Sequence, residues 1–266
     1  MRRAFCTLLV AISSASSATQ YEPSFTSLRA FNNHTNSKWA NVTTDVMQHE
    51  APGEHNNYDD LITLVHETTH GIHAYIRNHM NNTGKRANGF FVLDDRAVIL
   101  VEPNIRKSAV ARYVPQSLRG FRFGTYITGQ TEWDDTPLYV FDEWNAYVNG
   151  GQAGVDQVNH NLWNESWEDG VSGVLEFALY ALATAQAVKA GDPNYFESYT
   201  PFKEFVAWNV ARSMEVFRAG AQMAAFKWDK QDQMLNSFLH SSDAAPLRTF
   251  TRDWLGADWT QATFGF

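Results

Sequence analysis

Between Tyr58 and Met80 the apolar residues Leu61, Ile62, Val65, Ile72 and Ile76 recur at the spacing of one helix face, with Asn57 or Asp59 available as an N-cap and Gly84 beyond the end. Within that run stands His66-Glu67-Thr68-Thr69-His70. A helix here commits both histidines to one side, because four steps of 100° leave them about 40° apart and one turn above the other. Both imidazoles can therefore reach a single ion. Glu67 lies beside that face, where a carboxylate can contact a water on the metal without itself ligating the metal. Zinc held this way lowers the pKa of such a water toward about 7 and polarises a substrate carbonyl, while the glutamate takes the proton and passes it to the leaving amine. The spacing serves that chemistry. A chain with nine histidines can also hold the pattern by coincidence, on a solvated helix with no metal.

Met1, Arg2 and Arg3 precede an apolar run from Ala4 to Ile12 and then Ser-Ser-Ala-Ser-Ser-Ala-Thr. Residues 1–18 read as a signal peptide cut near Ala18, and the expected location is secreted, extracellular or periplasmic. The only cysteine, Cys6, would leave with the leader, so the mature chain has no thiol to form a disulfide. A chain of this length can bury enough surface to be stable without one. No other stretch reaches the roughly 18 consecutive apolar residues of a membrane span, and no stable membrane insertion is expected. Val174 to Val188 comes nearest, but it is short, contains Glu176, and reads as a core helix. The formal charge of −8 argues against nucleic acid as a partner, since phosphate binding needs clustered Lys and Arg.

Residues 19–58 are rich in Asn, Ser, Thr and His with little periodicity, and read as an extended lead-in. Gly89 to Leu93 and Ala97 to Val101 suggest a hairpin around Asp94-Asp95-Arg96, and Phe121 to Thr128 suggests a further strand. After Asp135-Thr136-Pro137 a helix is expected over Leu138 to Val148, ending at Gly150-Gly151. Further helices are expected near 171–190, 201–221, 230–240 and 246–255. The sum is one α+β domain over residues 19–266, with a small mixed or antiparallel sheet and a predominantly helical C-terminal half.

His66, Glu67 and His70 make the chain resemble the zincin metallopeptidases, over the motif helix and a second helix. The metzincin branch of that family would place Gly at 73 and His at 76, whereas this sequence has His73 and Ile76. The gluzincin branch draws its third ligand from a later helix, commonly in an Asn-Glu setting. Asp142-Glu143-Trp144-Asn145-Ala146 matches that setting with Asp in place of Asn, and the resemblance implies Glu143 as third ligand of a Zn2+ ion. A zincin-like fold and a peptide or protein substrate follow from the same likeness. Glu176 is a rival ligand, or a partner of a ligand's far nitrogen, because a lone carboxylate on an apolar helix needs a partner. Glu165 and Glu168 are weaker rivals, more simply read as solvated. His73 shares the face of His66 and can line a cleft or be an ordinary hydrogen-bonded histidine. Zincins need a donor to the developing oxyanion, for which Tyr139 and Tyr147 flank Glu143, with Tyr126 and His160 also available. Arg106, Arg112, Arg119 and Arg122 offer themselves to a substrate carboxylate, or are surface charge.

A peptidase is thus the leading expectation, with two alternatives. One uses the same zinc on a cell-wall peptide or another amide. The other is a secreted carbohydrate-binding protein, in which the HETTH run is incidental and Trp133, Trp144, Trp163 and Trp167 supply stacking surfaces, although they suit an aromatic core equally well.

Overall fold

The structure, a computed structural model, describes residues 21–131, 134–164, 169–228 and 230–266. The expected leader, Trp133, Glu165, Trp167 and Glu168 lie outside the described residues. A short strand β1 (Thr26–Ser27) and helix α1 (Asn41–Gln48) precede α2 (Leu61–His79), and strands β2 (Ala87–Phe91) and β3 (Arg96–Val101) follow it. The sheet is antiparallel in the order β1-β3-β2, with Gly89 opposite Ile99. Its hairpin turns through Leu93, Asp94 and Asp95, all at positive φ, where short polar residues are tolerated best. After 3₁₀ turns over Lys107–Tyr113 and Gln116–Leu118, α3 (Leu138–Asn159) runs against α2. The C-terminal half is helical: α4 (Ser172–Gly191), α5 (Pro193–Ser198), α6 (Thr200–Ala221), α7 (Gln231–His240), α8 (Ala245–Leu255) and α9 (Ala257–Phe264). The fold class is α+β, as the sequence predicts.

Helix α4 is apolar on nearly every side because it is covered on nearly every side, by α3, α5, α6, α7 and α8. Leu175, Phe177, Leu179 and Leu182 are each at most 1% exposed, and burying each contributes about 1.5–3 kcal/mol. A smaller core of Val46, Val65, Ile72, Ile76, Phe91 and Ala97 joins α1, α2 and the sheet. Between these two cores lie the facing sides of α2 and α3.

Three expectations need correction. The stretch 19–58 is not extended throughout, since it holds α1. That helix has no side-chain cap of its own; Gln157 Oε1 accepts from the Ala40 N–H at 3.2 Å and Asp156 Oδ2 from the Val42 N–H at 2.8 Å. Its cap comes from α3, across the fold. Phe121 to Thr128 is no strand but a π-helical turn over Phe123–Thr128. And α3 does not stop at Gly150-Gly151. A Cβ on Gly150 would stand 3.1 Å from the Ile62 carbonyl oxygen, so the glycine lets α3 approach α2 closely, and the helix continues for another two turns and more.

Candidate metal centre

Helix α2 is capped by Asp60, whose carboxylate accepts from the Thr63 N–H at 2.8 Å, and not by either Asn57 or Asp59 as the sequence suggested. Its apolar side, Val65, Ile72 and Ile76, is fully buried, and Gly89 on β2 lets the sheet pack directly on Ile76. This docking turns His66 and His70 toward α3. Their Nε2 atoms are 3.0 Å apart, and each is 3.5 Å from Glu143 Oε2. Sequence reasoning placed these three residues together, and the structure brings them together.

Glu143 Oε2 is buried and has no hydrogen-bond partner. A buried carboxylate oxygen without a donor is costly unless a cation faces it. The three atoms form a triangle with edges of 3.0, 3.5 and 3.5 Å. A tetrahedral ion with bonds of about 2.0–2.1 Å spans ligand–ligand edges of about 3.3 Å, so the opening has the right size for one. His66, His70 and Glu143 are positioned to hold a metal ion. The other Glu143 oxygen, Oε1, accepts from the Tyr139 hydroxyl at 3.0 Å, and that hydroxyl also meets Gln130 Oε1. The Lys107 ammonium stands 4.2 Å from the centre of the Tyr139 ring. Tyr139 is thus placed to orient the ligand carboxylate.

Behind the triangle is a second arrangement that the sequence did not disclose. Asp142 Oδ2 is 3.0 Å from His70 Nδ1, and Oδ1 makes a short contact with His73 Nδ1. On its other side His73 Nε2 is 3.0 Å from Asn145 Nδ2, which also donates to the Phe91 carbonyl oxygen at 2.6 Å. The Phe91 carbonyl fixes the Asn145 amide with its nitrogen inward, so His73 Nε2 accepts and its Nδ1 carries the proton toward Asp142. Asp142 therefore takes an N–H from each of two histidines. That bond on His70 Nδ1 leaves Nε2 as the ligand atom. His70, His73 and Asp142 also lie close enough to be read as a metal cluster of their own. Hydrogen bonds already occupy the Asp142 and His73 atoms that would face it, so the first triangle is the stronger site.

Burial pushes the Asp142 carboxyl up, but His70 and His73 outweigh it and hold the group ionised, well below the usual carboxylate range. Burial likewise raises Glu143, but the nearby His66 and His70 outweigh it and lower the group to about 2. His70 is depressed by burial yet raised overall by Asp142 and then Glu143, whereas in His73 burial prevails and the neutral form is favoured. Without metal, protonation of His70 would offset only part of the charge of these two carboxylates.

Glu67 is half-buried and lines the cleft on both sides of His66. One lobe, of about 840 Å³, runs past His70, Asn88, Arg77 and Asp134; the other, of about 230 Å³, passes Thr63, Arg122, Tyr147 and Asp169. The lobes meet at His66, Glu67 and Tyr126. Tyr147 packs its ring edge-on to His66 at 4.6 Å, and its hydroxyl is 3.4 Å from that of Tyr126. Burial, then Tyr147, pushes the Tyr126 hydroxyl pKa up, so it stays a donor at any physiological pH.

The chain matches no protein-family model, no curated protein and no solved structure. The site is therefore read from its own atoms.

Among the described residues, the other candidates lie elsewhere. Glu176 is not near the triangle; its Oε1 accepts from the Arg122 N–H at 2.8 Å and from the Tyr180 hydroxyl at 2.6 Å, and Oε2 pairs with Arg122 Nη1 at 3.2 Å. It serves Arg122, whose guanidinium lies 4.9 Å from the centre of the Tyr147 ring and so backs the cleft wall. Arg106 is exposed beside Asp135, Arg112 lies over Tyr113, and Arg119 over Phe123. His160 is an exposed residue at the end of α3, bonded to Asp156. Trp144 is in the core, donating to Ser213 at 2.9 Å, and Trp163 packs on Phe226. Neither belongs to an exposed stacking surface.

Proposed function

We propose that the protein is a zinc-dependent hydrolase of peptide or amide bonds, zincin-like in its chemistry, with zinc on His66, His70 and Glu143 and with Glu67 as general base. One observation carries the reading: a buried, otherwise unpartnered carboxylate oxygen of Glu143 faces two imidazole nitrogens at metal-ligand spacing, at the floor of a cleft that Glu67 lines on both sides. Zinc at that place supplies Lewis acidity to water and to a substrate carbonyl. Glu67 takes a proton from the attacking water and returns it to the leaving nitrogen. The hydroxyls of Tyr147 and Tyr126, beside His66, donate to the oxygen of the carbonyl as charge develops on it. Tyr139 and Asp142 hold Glu143 and His70 in place. The two lobes accept chain on either side of the bond that is cut, with Asn88 of the edge strand β2 in the larger one. A secreted enzyme is the reading that the leader supports.

The test is metal content by elemental mass spectrometry, with hydrolysis of a quenched-fluorescent peptide library and of cell-wall peptides. Near one zinc per chain in the wild type and in Glu67→Gln, with turnover lost only in the variant, is the expected result. Glu143→Ala is expected to lose the metal. An active Glu67→Gln protein refutes the assigned base, and a folded protein that takes up no zinc refutes the reading altogether.

A further inference from the structure

A cavity of about 710 Å³, within the usual size range of small-molecule sites, shares no lining residue with the metal cleft. It lies between the β2–β3 turn, α3, α6 and α9, and Arg212 of α6 forms part of its wall. This guanidinium is held by neutral acceptors: Nε and Nη2 reach Gln152 Oε1 at 3.0 and 2.8 Å, and Nη2 reaches Asn149 Oδ1 at 2.7 Å. Nη1 is buried with no hydrogen-bond partner. Among the described residues Arg212 joins none of the arginine–carboxylate ion pairs. A buried guanidinium is ordinarily paired with a carboxylate or phosphate, because the cost of desolvating the charge is otherwise not offset.

A second arginine is nearby. Arg96 and Arg212 place their guanidinium carbons 5.9 and 5.8 Å from the centre of the same ring, that of Trp208. Arg96 is paired with the exposed Asp94 at 3.0 Å, so of the two it is Arg212 that lacks a direct ion pair. Burial, and then the charge of Arg96, lower the Arg212 pKa to about 9 against the opposing pull of Asp94, Glu215 and Asp45, the first two of which also line the cavity. The rest of the wall includes Trp208, Val155 and Met214, an apolar surface beside the charge.

We propose that this cavity binds a small organic carboxylate, with its head group on Arg212 and Arg96 and its apolar body against Trp208, Val155 and Met214. The carboxylate supplies the direct ion-pair partner that the Arg212 guanidinium lacks, at the part of that side chain that lines the cavity. The proposal does not rest on the metal or on hydrolysis.

The probe is benzoate, titrated calorimetrically into the full chain with and without chelator, with benzamide as the neutral isostere and sulfate as an inorganic anion. Saturable benzoate binding is expected at millimolar concentration or below, unchanged by chelator, with benzamide and sulfate at least 10-fold weaker. Arg212→Gln is expected to weaken benzoate at least 10-fold. Arg96→Gln, at a side chain 38% exposed and therefore easy to replace, gives the same direction should Arg212→Gln fail to fold. Three results overturn the proposal: no saturable benzoate binding, binding unaffected by either arginine substitution, or binding lost with chelator, which would put the carboxylate on the metal.

Discussion

Asp142→Asn tests whether the carboxylate behind His70 sets the metal affinity. The amide has nearly the shape of the acid but offers one acceptor and one donor where Asp142 offers two acceptors. If its oxygen faces His70, its nitrogen faces His73 Nδ1 and forces the His73 proton onto Nε2, which then points at the Asn145 nitrogen, itself a donor held by Phe91. If the amide is turned round, its nitrogen faces His70 Nδ1, and the His70 proton moves to Nε2, the atom that must bind the ion. Either arrangement breaks one hydrogen bond to a charged acceptor, worth about 1.5–3 kcal/mol, or roughly a 10- to 150-fold loss of metal affinity. That range agrees with the usual cost of losing a partner of a metal-bound histidine, about 10- to 100-fold. The measurement is zinc competition against a fluorescent chelator, made well above neutral pH, where protons compete least for the imidazoles. Asp142→Asn binding zinc as tightly as the wild type, with the fold intact by circular dichroism, would refute the hydrogen-bond assignment of the whole His70-Asp142-His73-Asn145 chain.

On the proposed mechanism Tyr147→Phe removes one of two donors to the developing charge and is expected to lower kcat by about 10- to 100-fold with little change in KM; a loss in KM alone would make Tyr147 a binding residue. Gly89→Ala places a methyl group on top of Ile76 and is expected to cost at least about 1–3 kcal/mol, seen as a lower Tm. Burial pulls the His49 pKa down, but Asp45 and Asp95 outweigh it and hold the imidazolium at about 9 against 6.5 in the unfolded chain. Because the folded pKa is the higher one, its contribution is complete below pH 6.5 and is lost as pH rises through about 9. With the Asp95 side chain 64% exposed, about 1–2 kcal/mol is a fair size after screening. Urea titrations across that range should show the loss in the wild type and a flatter profile in His49→Gln.

Local patterns made α2, the hairpin and most of the C-terminal helices legible, because each buries a face whose period is written in its own residues. The errors fall where a distant element decides. Gly150-Gly151 reads locally as a helix stop, yet these glycines are the surface on which α3 meets α2 and α4. Helix α1 lacks a cap in its own segment and takes one from Asp156 and Gln157. At the centre, His66, Glu67 and His70 lie within five residues in sequence and Glu143 stood out through the resemblance of its run to the gluzincin setting. Glu176 stood out as a lone carboxylate on an apolar helix, and its partner proves to be Arg122. Asp142 shows in the sequence only as the neighbour of Glu143 and Asn145 only as part of the same run, since the histidines they hold lie on another helix.

The adjacency of Asp142 and Glu143 is the point on which fold and chemistry join. Consecutive residues on a helix point about 100° apart, so two neighbouring carboxylates can grip one histidine from its two nitrogens only if that histidine lies between their directions. His70 does: Glu143 reaches toward Nε2 and Asp142 takes Nδ1. Two negative charges at this spacing, Glu143 buried and Asp142 half-buried, repel, and three imidazoles alone offset them only by protonation, which removes the ligand atom. A divalent cation balances both carboxylates while leaving the imidazoles neutral. The acidic pair therefore favours a doubly charged ion over a singly charged one. Asp142→Asn should accordingly lower the affinity for zinc far more than that for Cu(I), whose single charge needs one carboxylate. Equal losses for the two ions would show that Asp142 acts through geometry alone.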